Sequence, residues 1–219
     1  MDKIRLRFKK TGRAIYISHL DLMHTMQRGF SRAGYELKYS EGFNPHPIIS
    51  IILPLSVGCS SVCELMDFRL KQECRLDRLP VELTAVMPEG IEAIEAYEPL
   101  RKAAELKWLA IDGIFEYDNR SAADMAPELI KFFAQDEIIV PKKTKRGMGE
   151  FDVKSAIKEI AFNADGNNVK VNAVISAQEP TLNQELLTEA LRLKAEEIAP
   201  DFAKYTRTET YDCNMTVYR

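Results

Sequence analysis

Near its start the chain reads Lys3-Ile4-Arg5-Leu6-Arg7-Phe8-Lys9, a strict alternation of charged and apolar residues. This period of two is typical of a β-strand with one buried face, so the three apolar side chains should point into a core. Ser18, with Asp21 three residues later, then predicts the start of a helix, because both side chains suit a helix N-terminus. Leu20 and Phe30 belong to the expected apolar face of that helix. A strand and a helix therefore open the fold.

Apolar runs and turn residues predict four more elements in the first half: strands at 48–55 and 63–70, a helix at 77–87 and a strand at 91–96. The order βαββαβ indicates a four-stranded antiparallel sheet with both helices on one face, the ferredoxin-like arrangement. From residue 106 the same order repeats more loosely. We therefore predict an α+β fold of two ferredoxin-like (βαββαβ) domains in tandem, residues 1–100 and 104–219, each with an antiparallel sheet and its helices on one face.

Composition places the chain among ordinary globular proteins. Its 219 residues are 46% hydrophobic and 29% charged, and no apolar run approaches the roughly 20 residues of a membrane helix. The N-terminus lacks the apolar segment of a signal peptide, so we expect a cytoplasmic protein without membrane association. The net charge of −3 conceals an asymmetry, because residues 1–56 carry nine Lys and Arg against four Asp and Glu, which leaves −8 for the remainder. A basic N-terminal quarter indicates a surface that meets anions.

The four cysteines fit free thiols in a reducing compartment. The spacing of Cys59 and Cys63 also suits metal ligands, but no second Cys or His pair follows them, as a zinc site requires. We therefore favour structural thiols over ligands, and we predict neither a metal nor a cofactor.

Several motifs resemble those of a known family. They are Arg5-x-Arg7-Phe8-x-Lys10, Tyr16-Ile17-Ser18-His19-Leu20-Asp21-Leu22, the pair Arg28 and Arg32, and Tyr39-Ser40-Glu41-Gly42-Phe43-Asn44-Pro45-His46-Pro47. Together they resemble the bacterial radical-SAM-linked proteins, in which a similar domain of unknown function occurs alone or fused C-terminal to a radical-SAM domain. The resemblance implies a radical-SAM partner but no catalytic residue. Because Met66 stands three residues after Cys63, the C-x₃-C-x₂-C iron–sulfur motif is absent, and any radical-SAM chemistry would belong to another polypeptide.

The cations of the opening strand are the first candidate site. They are Lys3, Arg5, Arg7 and Lys9. In a ferredoxin-like fold they should lie on the open face of the sheet, with which RNA-recognition domains of this topology bind phosphates and stack bases. Outward aromatic residues are absent from this strand, so base stacking is not supported there. The alternatives are a solvated strand face, or one packed against an acidic surface of the second domain.

A polar stripe on the first predicted helix is the second candidate. Asp21, His24, Arg28 and Arg32 recur at three- to four-residue spacing and so share one helix face. His24 beside two arginines is a candidate proton acceptor. The simpler interpretation is a solvated polar face with an ion pair between Asp21 and Arg28.

The third candidate is the loop that follows this helix, in which Gly42, Pro45 and Pro47 predict a rigid backbone. Such a loop displays polar side chains at little entropic cost, although it could equally be a crossover to the sheet edge. The residues assigned to the loop and to the helix start are Ser18, His19, Asp21, Glu41, Gly42, Phe43, Asn44, Pro45 and His46. The three histidines fall here, but no carboxylate or cysteine stands at ligand spacing beside them, so we predict no metal site.

The fourth candidate is a basic loop in the second half, with four cations in five residues. They are Lys142, Lys143, Lys145 and Arg146. As a phosphate contact this loop would complement the N-terminal cations. As a surface loop it needs no function.

These features support three functional hypotheses. The leading one is an RNA-binding or adaptor module that acts with a radical-SAM partner. The second is a metal-independent RNA-processing enzyme of the CRISPR repeat-processing kind, in which His24 or His46 acts as general acid or base and Arg28 stabilises charge. The third is a protein-binding scaffold without RNA contact, which docks through the helix start and the loop.

Overall fold

A computed structural model describes residues 3–144 and 147–219, and the chain divides into two units, Met1–Ala103 with Arg219 and Ala104–Tyr218. Strands pair antiparallel within each unit and are combined with four α-helices in the described residues, which confirms the predicted α+β class. Within residues 3–144 and 147–219, no helix is both long and apolar enough to cross a membrane.

The first unit alternates strands and helices in the order βαββαβ. Its elements are β1 (Ile4–Lys10), α1 (His19–Arg32), β2 (Ile49–Ile51), β3 (Ser60–Phe68), α2 (Leu79–Thr84) and β4 (Ile91–Tyr97). β1 pairs with β3 on one side and with β4 on the other, and β2 pairs with β3. The strand order of this unit is therefore β4-β1-β3-β2, with β1 and β3 in the centre.

The core of the first unit is built from the apolar faces of β1 and α1. The three apolar side chains of β1 are completely buried, which confirms the inward face predicted for this strand. The Ser18 hydroxyl accepts a hydrogen bond from the Asp21 amide at 3.1 Å, as the predicted helix cap requires. The buried residues of α1 are Leu22, Met26, Gly29 and Phe30. Leu20 is instead exposed, so its predicted place in the core is wrong, because the four buried residues define a stripe on another side of the helix.

The second unit has the same order of elements with a hairpin inserted after its first helix. Its elements are β5 (Trp108–Glu116), α3 (Ala122–Phe133), β6 (Ile139–Thr144), β7 (Gly147–Asp152), β8 (Ile157–Asp165), β9 (Asn168–Ser176), α4 (Glu185–Lys194) and β10 (Phe202–Tyr211). The sheet runs β10-β5-β9-β8, and β6 and β7 pair only with each other among the described strands.

Candidate nucleic-acid interface

Arg5 is the cation of β1 whose surroundings differ most from the sequence-based expectation. Its side chain is completely buried, and its Nε and Nη2 donate to the Asp67 carboxylate at 2.7 and 3.2 Å. Nη2 also donates to the Arg101 carbonyl oxygen at 3.2 Å. The register of β1 and β3 sets Arg5 directly opposite Asp67, so a carboxylate occupies the place where solvent was expected. The predicted exposure of Arg5 is therefore wrong, and a polyanion cannot reach this guanidinium.

The other three cations predicted for this site, Lys3 just before β1 and Arg7 and Lys9 on it, also pair with carboxylates on the adjacent strands but keep part of their side chains exposed. The atom pairs are Lys3 Nζ with Asp67 Oδ2 at 2.6 Å, Arg7 Nη1 with Glu95 Oε1 at 3.4 Å, and Lys9 Nζ with Glu92 Oε2 at 3.0 Å. Ion pairs this exposed contribute about 0–1 kcal/mol each, so a phosphate can compete for these cations. The positive potential along β1 is nevertheless lower than the sequence charge suggests.

The polar stripe of α1 is exposed along its whole length. Asp21 accepts a hydrogen bond from the Ser18 hydroxyl at 2.7 Å, and Arg32 Nη2 donates to the Val86 carbonyl oxygen at 2.7 Å. His24 and Arg28 project from the same exposed face. The stripe is thus a solvated helix face, and Asp21 is engaged at the helix cap.

Residues 39–47, which we call the motif loop, form a closed turn that is fastened at its base. Tyr39 and Pro47 pair as an antiparallel bridge, and the Ser40 amide donates to the His46 carbonyl oxygen at 2.9 Å. Gly42 has a φ of 120°, which residues with a Cβ rarely adopt. Residues 41–46 are all exposed, and at the tip the Phe43 side chain is fully so. The loop therefore presents an aromatic ring from a backbone that its own hydrogen bonds hold.

Ser40 also fixes the imidazole of His46. The His46 amide donates to Ser40 Oγ at 3.1 Å, and the ring Nδ1 lies 3.0 Å from the same oxygen. Nδ1 is also 3.4 Å from the Asn44 carbonyl oxygen, which can only accept a hydrogen bond. That acceptor favours the tautomer with its proton on Nδ1, which leaves the lone pair on Nε2. Nε2 makes no hydrogen bond to any described residue, so it is the nitrogen that a ligand or a substrate proton can meet.

A cleft of about 410 Å³ lies beside the motif loop and joins residues from two of the predicted sites. We call it the loop cleft. Its polar lining is Lys3, His46, Ser50, Asp67 and Arg69, and its apolar lining includes Pro47, Ile48, Ile49, Ile52 and Phe68. Ser50 is in register with Asp67, and the Arg69 amide donates to the Ile48 carbonyl oxygen at 3.1 Å. Because alternate residues of a strand share a face, Asp67 and Arg69 lie on the same side of the sheet.

Sequence reasoning missed Arg69 and Ser50. Arg69 is exposed and makes no ion pair with any residue that the structure describes. Its signal in the sequence was only its position two residues beyond Asp67, at the end of a predicted strand. Arg69 lies in the loop cleft because residues near Lys3, residues 46–52 and residues 67–69 come together in the folded unit. A local sequence pattern does not reveal such a contact between distant segments.

The basic segment of the second unit is mostly strand and not the expected loop. β6 continues to Thr144 and pairs with β7, and Lys142 Nζ lies 3.8 Å from the centre of the Phe151 ring. Lys142 also donates to the Thr181 carbonyl oxygen at 2.8 Å, and burial lowers the pKa of its ammonium group. The Lys142 ammonium is therefore engaged within its own unit. Lys145 and Arg146 lie outside the described residues, and so does the side chain of Lys143.

Among the described residues, no group of three or more His, Cys, Asp and Glu side chains is arranged to hold a metal ion. Cys59 and Cys63 are buried free thiols on or beside β3, and Ser61 Oγ lies 3.8 Å from Cys63 Sγ. His19 and His24 lie on α1, whereas His46 belongs to the motif loop.

The fold and this surface define an α+β protein with mainly antiparallel sheet and a polar cleft beside an ordered loop. The chain belongs to the family described as "Uncharacterized protein conserved in bacteria (DUF2344)", whose profile matches residues 3–186. This match confirms that the chain belongs to a bacterial family of unknown function, as its motifs indicated. No curated protein matches the chain.

Two solved structures resemble the chain to different degrees. A crystal structure of a Cbf5-Nop10-Gar1 complex gives a TM-score of 0.53 at 12% identity, and the match covers 94% of this chain and 48% of that one. The chain therefore spans about half the length of that relative, and the likeness shows the fold alone. A crystal structure of an unknown protein from Galdieria sulphuraria gives a TM-score of 0.26 at 8% identity, covering 94% of this chain and 97% of that one.

Proposed function

We propose that this protein binds RNA through the motif loop and the loop cleft, as an RNA-binding or adaptor module. The observation that carries the proposal is that Lys3, Arg69 and the fixed imidazole of His46 line one cleft, beside a loop whose Phe43 ring is fully exposed. Cations neutralise backbone phosphates and aromatic rings stack on bases, and RNA-binding surfaces combine the two. The motif loop also supplies the outward-facing aromatic residue that β1 itself lacks.

Salt-dependent binding tests this proposal. We expect a fluorescein-labelled random single-stranded RNA 20-mer to bind at 25 mM KCl, with an affinity that falls steeply towards 200 mM, measured by fluorescence anisotropy. Arg69→Glu should weaken binding about tenfold and reduce the salt slope by about 0.7, the value for one phosphate contact on a single strand. Arg75→Glu is the matched control, because Arg75 is an exposed arginine of the same unit whose charge Asp77 neutralises at 2.6 Å.

Absence of any RNA binding at 25 mM KCl refutes the proposal. An equal loss in Arg69→Glu and Arg75→Glu also refutes it, because net charge and not the cleft would then decide the affinity.

Metal-independent RNA cleavage is the second candidate function, and the fixed ring of His46 favours it. With its lone pair on Nε2, His46 could take the proton from a ribose 2′-hydroxyl as that oxygen attacks the adjacent phosphorus. The bond from phosphorus to the 5′-oxygen then breaks, and the 5′-oxygen takes a proton from water. The products would be a 2′,3′-cyclic phosphate and a 5′-hydroxyl, and Lys3 or Arg69 would stabilise the extra negative charge. His24, on an open helix face, has no comparable surroundings.

Incubation of structured RNA with the protein in EDTA tests for cleavage. We expect 2′,3′-cyclic phosphate ends that His46→Asn abolishes and His24→Asn leaves. Intact RNA, or products that persist in His46→Asn, eliminates this candidate.

The resemblance in the motifs leads us to infer a radical-SAM protein as a partner in trans, in the cytoplasm. Exposed Phe43 and Leu20 are the apolar contacts that such a partner could cover. Co-purification with a radical-SAM protein, lost in Phe43→Ser, supports this partner. If Phe43→Ser loses the partner but keeps full RNA affinity, the protein-binding scaffold is the correct function.

We also propose a ferredoxin-like fold for each unit. The strand order β4-β1-β3-β2 of the first unit and β10-β5-β9-β8 of the second support it, since both place the first and third strands of a βαββαβ chain in the centre. An experimental structure of each unit would test the assignment.

A further inference from the structure

We infer that the loop cleft holds one unpaired nucleotide of a single-stranded RNA, while Phe43 stacks on a neighbouring base. The inference rests on the proposed function and names its substrate class. It begins from the size of the cleft: about 410 Å³ lies within the roughly 300–1,000 Å³ of small-ligand pockets. A base that is stacked and paired in a duplex cannot enter such a cleft, because single-stranded RNA alone offers its bases splayed out.

The lining of the cleft divides into parts that match the parts of a nucleotide. Ile48 and Ile52 are partly buried and give apolar walls against which the flat face of a base can pack. Arg69 adjoins Ile48 through the backbone, and His46 lies two residues before Ile48. Arg69 is therefore the side chain of the cleft that suits a phosphate, because its guanidinium donates to phosphate oxygens.

Asp67 gives the cleft a preference for hydrogen-bond donors, in contrast to the preference of Arg69 for phosphate. A carboxylate repels phosphate but accepts hydrogen bonds from a ribose hydroxyl or from the amino group of a base. The charge of Asp67 is balanced by Arg5 at 2.7 Å and Lys3 at 2.6 Å, so the carboxylate does not cancel the attraction of Arg69 for a polyanion. Asp67 is in register with Ser50, which adds a hydroxyl beside the carboxylate. The lining of the cleft thus includes acceptors for sugar or base donors as well as a cation for phosphate.

Phe43 extends the site by one base. Its ring is fully exposed three residues before His46, on a loop that the Tyr39–Pro47 bridge and the Ser40–His46 hydrogen bonds hold in shape. Because the backbone that carries the ring is already ordered, stacking of a base costs only the side-chain entropy of Phe43. Stacking is tolerant of sequence, so we expect little discrimination among the four bases.

Filling the cleft without changing its charge tests the inference. The probes are a labelled single-stranded RNA 12-mer and a blunt duplex of the same sequence, measured by anisotropy at 50 mM KCl. We expect the single strand to bind at least tenfold more tightly than the duplex. Ser50→Trp, on an exposed position of the cleft wall, and Phe43→Ser should each weaken the single strand about tenfold and leave the duplex unchanged.

Val81→Trp is the matched control, because it adds the same ring at an exposed position of α2 outside the loop cleft, and it should leave both affinities unchanged. Circular dichroism of each variant verifies folding. Equal affinity for duplex and single strand, or full single-strand affinity in Ser50→Trp, overturns the inference. If Arg69→Glu still weakens both RNA forms in that case, RNA binding stands and only the unpaired-nucleotide site fails. If neither RNA binds the unmodified protein, both proposals fail.

Discussion

Asp67→Asn should destabilise the first unit more than Arg5→Met, although both substitutions break the same ion pair. In Asp67→Asn the Arg5 guanidinium stays completely buried and loses the carboxylate that its Nε and Nη2 bind, a change that costs about 3–5 kcal/mol. In Arg5→Met the Asp67 carboxylate keeps Lys3 at 2.6 Å, and the Lys3 side chain is 46% exposed to water. That variant loses charged hydrogen bonds but leaves no isolated buried charge, so we expect a loss of about 2 kcal/mol.

Two further variants separate charge from packing at the same place. Lys3→Met removes the exposed partner of Asp67 and should cost no more than about 1 kcal/mol. The double variant Arg5→Met/Asp67→Val replaces the buried pair by apolar side chains closer to them in size, which is often close to neutral for buried ion pairs. It should therefore be more stable than Asp67→Asn, even though it carries two substitutions.

Urea unfolding followed by circular dichroism gives the free energy of unfolding of each variant. Because the chain has two units, hydrogen exchange of the β1 and β3 amides is needed to assign the loss to the first unit. The reasoning fails if Asp67→Asn is as stable as Lys3→Met, or if the double variant is less stable than Asp67→Asn.

Three other substitutions test local features of the fold. Tyr117→Phe removes the hydrogen bond to the Ile198 carbonyl oxygen at 2.9 Å and should cost about 1 kcal/mol at pH 7. Burial raises the pKa of Tyr117 to about 12, above its ordinary value of 10.0, so the native protein loses stability as pH rises from 10 to 12. Urea unfolding at pH 10 and 12 should show a smaller decline of the free energy of unfolding in Tyr117→Phe. Gly90→Ala should lower the thermal midpoint strongly, because φ is +90° and the new Cβ would lie 2.2 Å from the Thr11 carbonyl oxygen; an unchanged midpoint contradicts this. Ser18→Ala should cost about 1 kcal/mol in a urea titration whereas Ser18→Asp should not, since aspartate also caps helices.

The local features of the fold could be predicted because each depends on neighbours in sequence. Alternation from Lys3 to Lys9 gave the buried face of β1, and Ser18 with Asp21 gave the cap of α1. Leu20 was assigned to the core wrongly because apolar residues at helical spacing can be grouped into more than one face of the same helix. Only tertiary packing decides which of these faces is buried. The basic segment of the second unit was misassigned because a run of lysines is typical of a solvated loop, whereas β6 pairs with β7 and the Lys142 ammonium lies over the Phe151 ring.

The state of the β1 cations could not be predicted from alternation alone. The pattern separates an apolar face from a polar one, but it does not say whether water or a carboxylate lies opposite each cation. That depends on register, which relates residues about sixty or ninety positions apart, such as Arg5 with Asp67 and Arg7 with Glu95. A signal was nevertheless present: the predicted topology placed β1 between two strands that carry Asp67, Glu92 and Glu95. Matching charges across neighbouring strands would have indicated that this basic face is largely neutralised.

The same physics decides which residues can form the site. A polyanion responds to the potential of a surface, which sums each cation with the carboxylates around it, and not to a count of lysines and arginines along the sequence. Arg7 stands within a motif but lies 3.4 Å from Glu95, whereas Arg69 stands outside every motif and has no described counter-charge. The motif loop supplies an ordered backbone and an aromatic ring. The cation that this loop lacks is Arg69, which directly follows β3, a strand without a basic motif. The proposed RNA site therefore depends on side chains that the paired strands bring together, and the motif loop forms only one side of it.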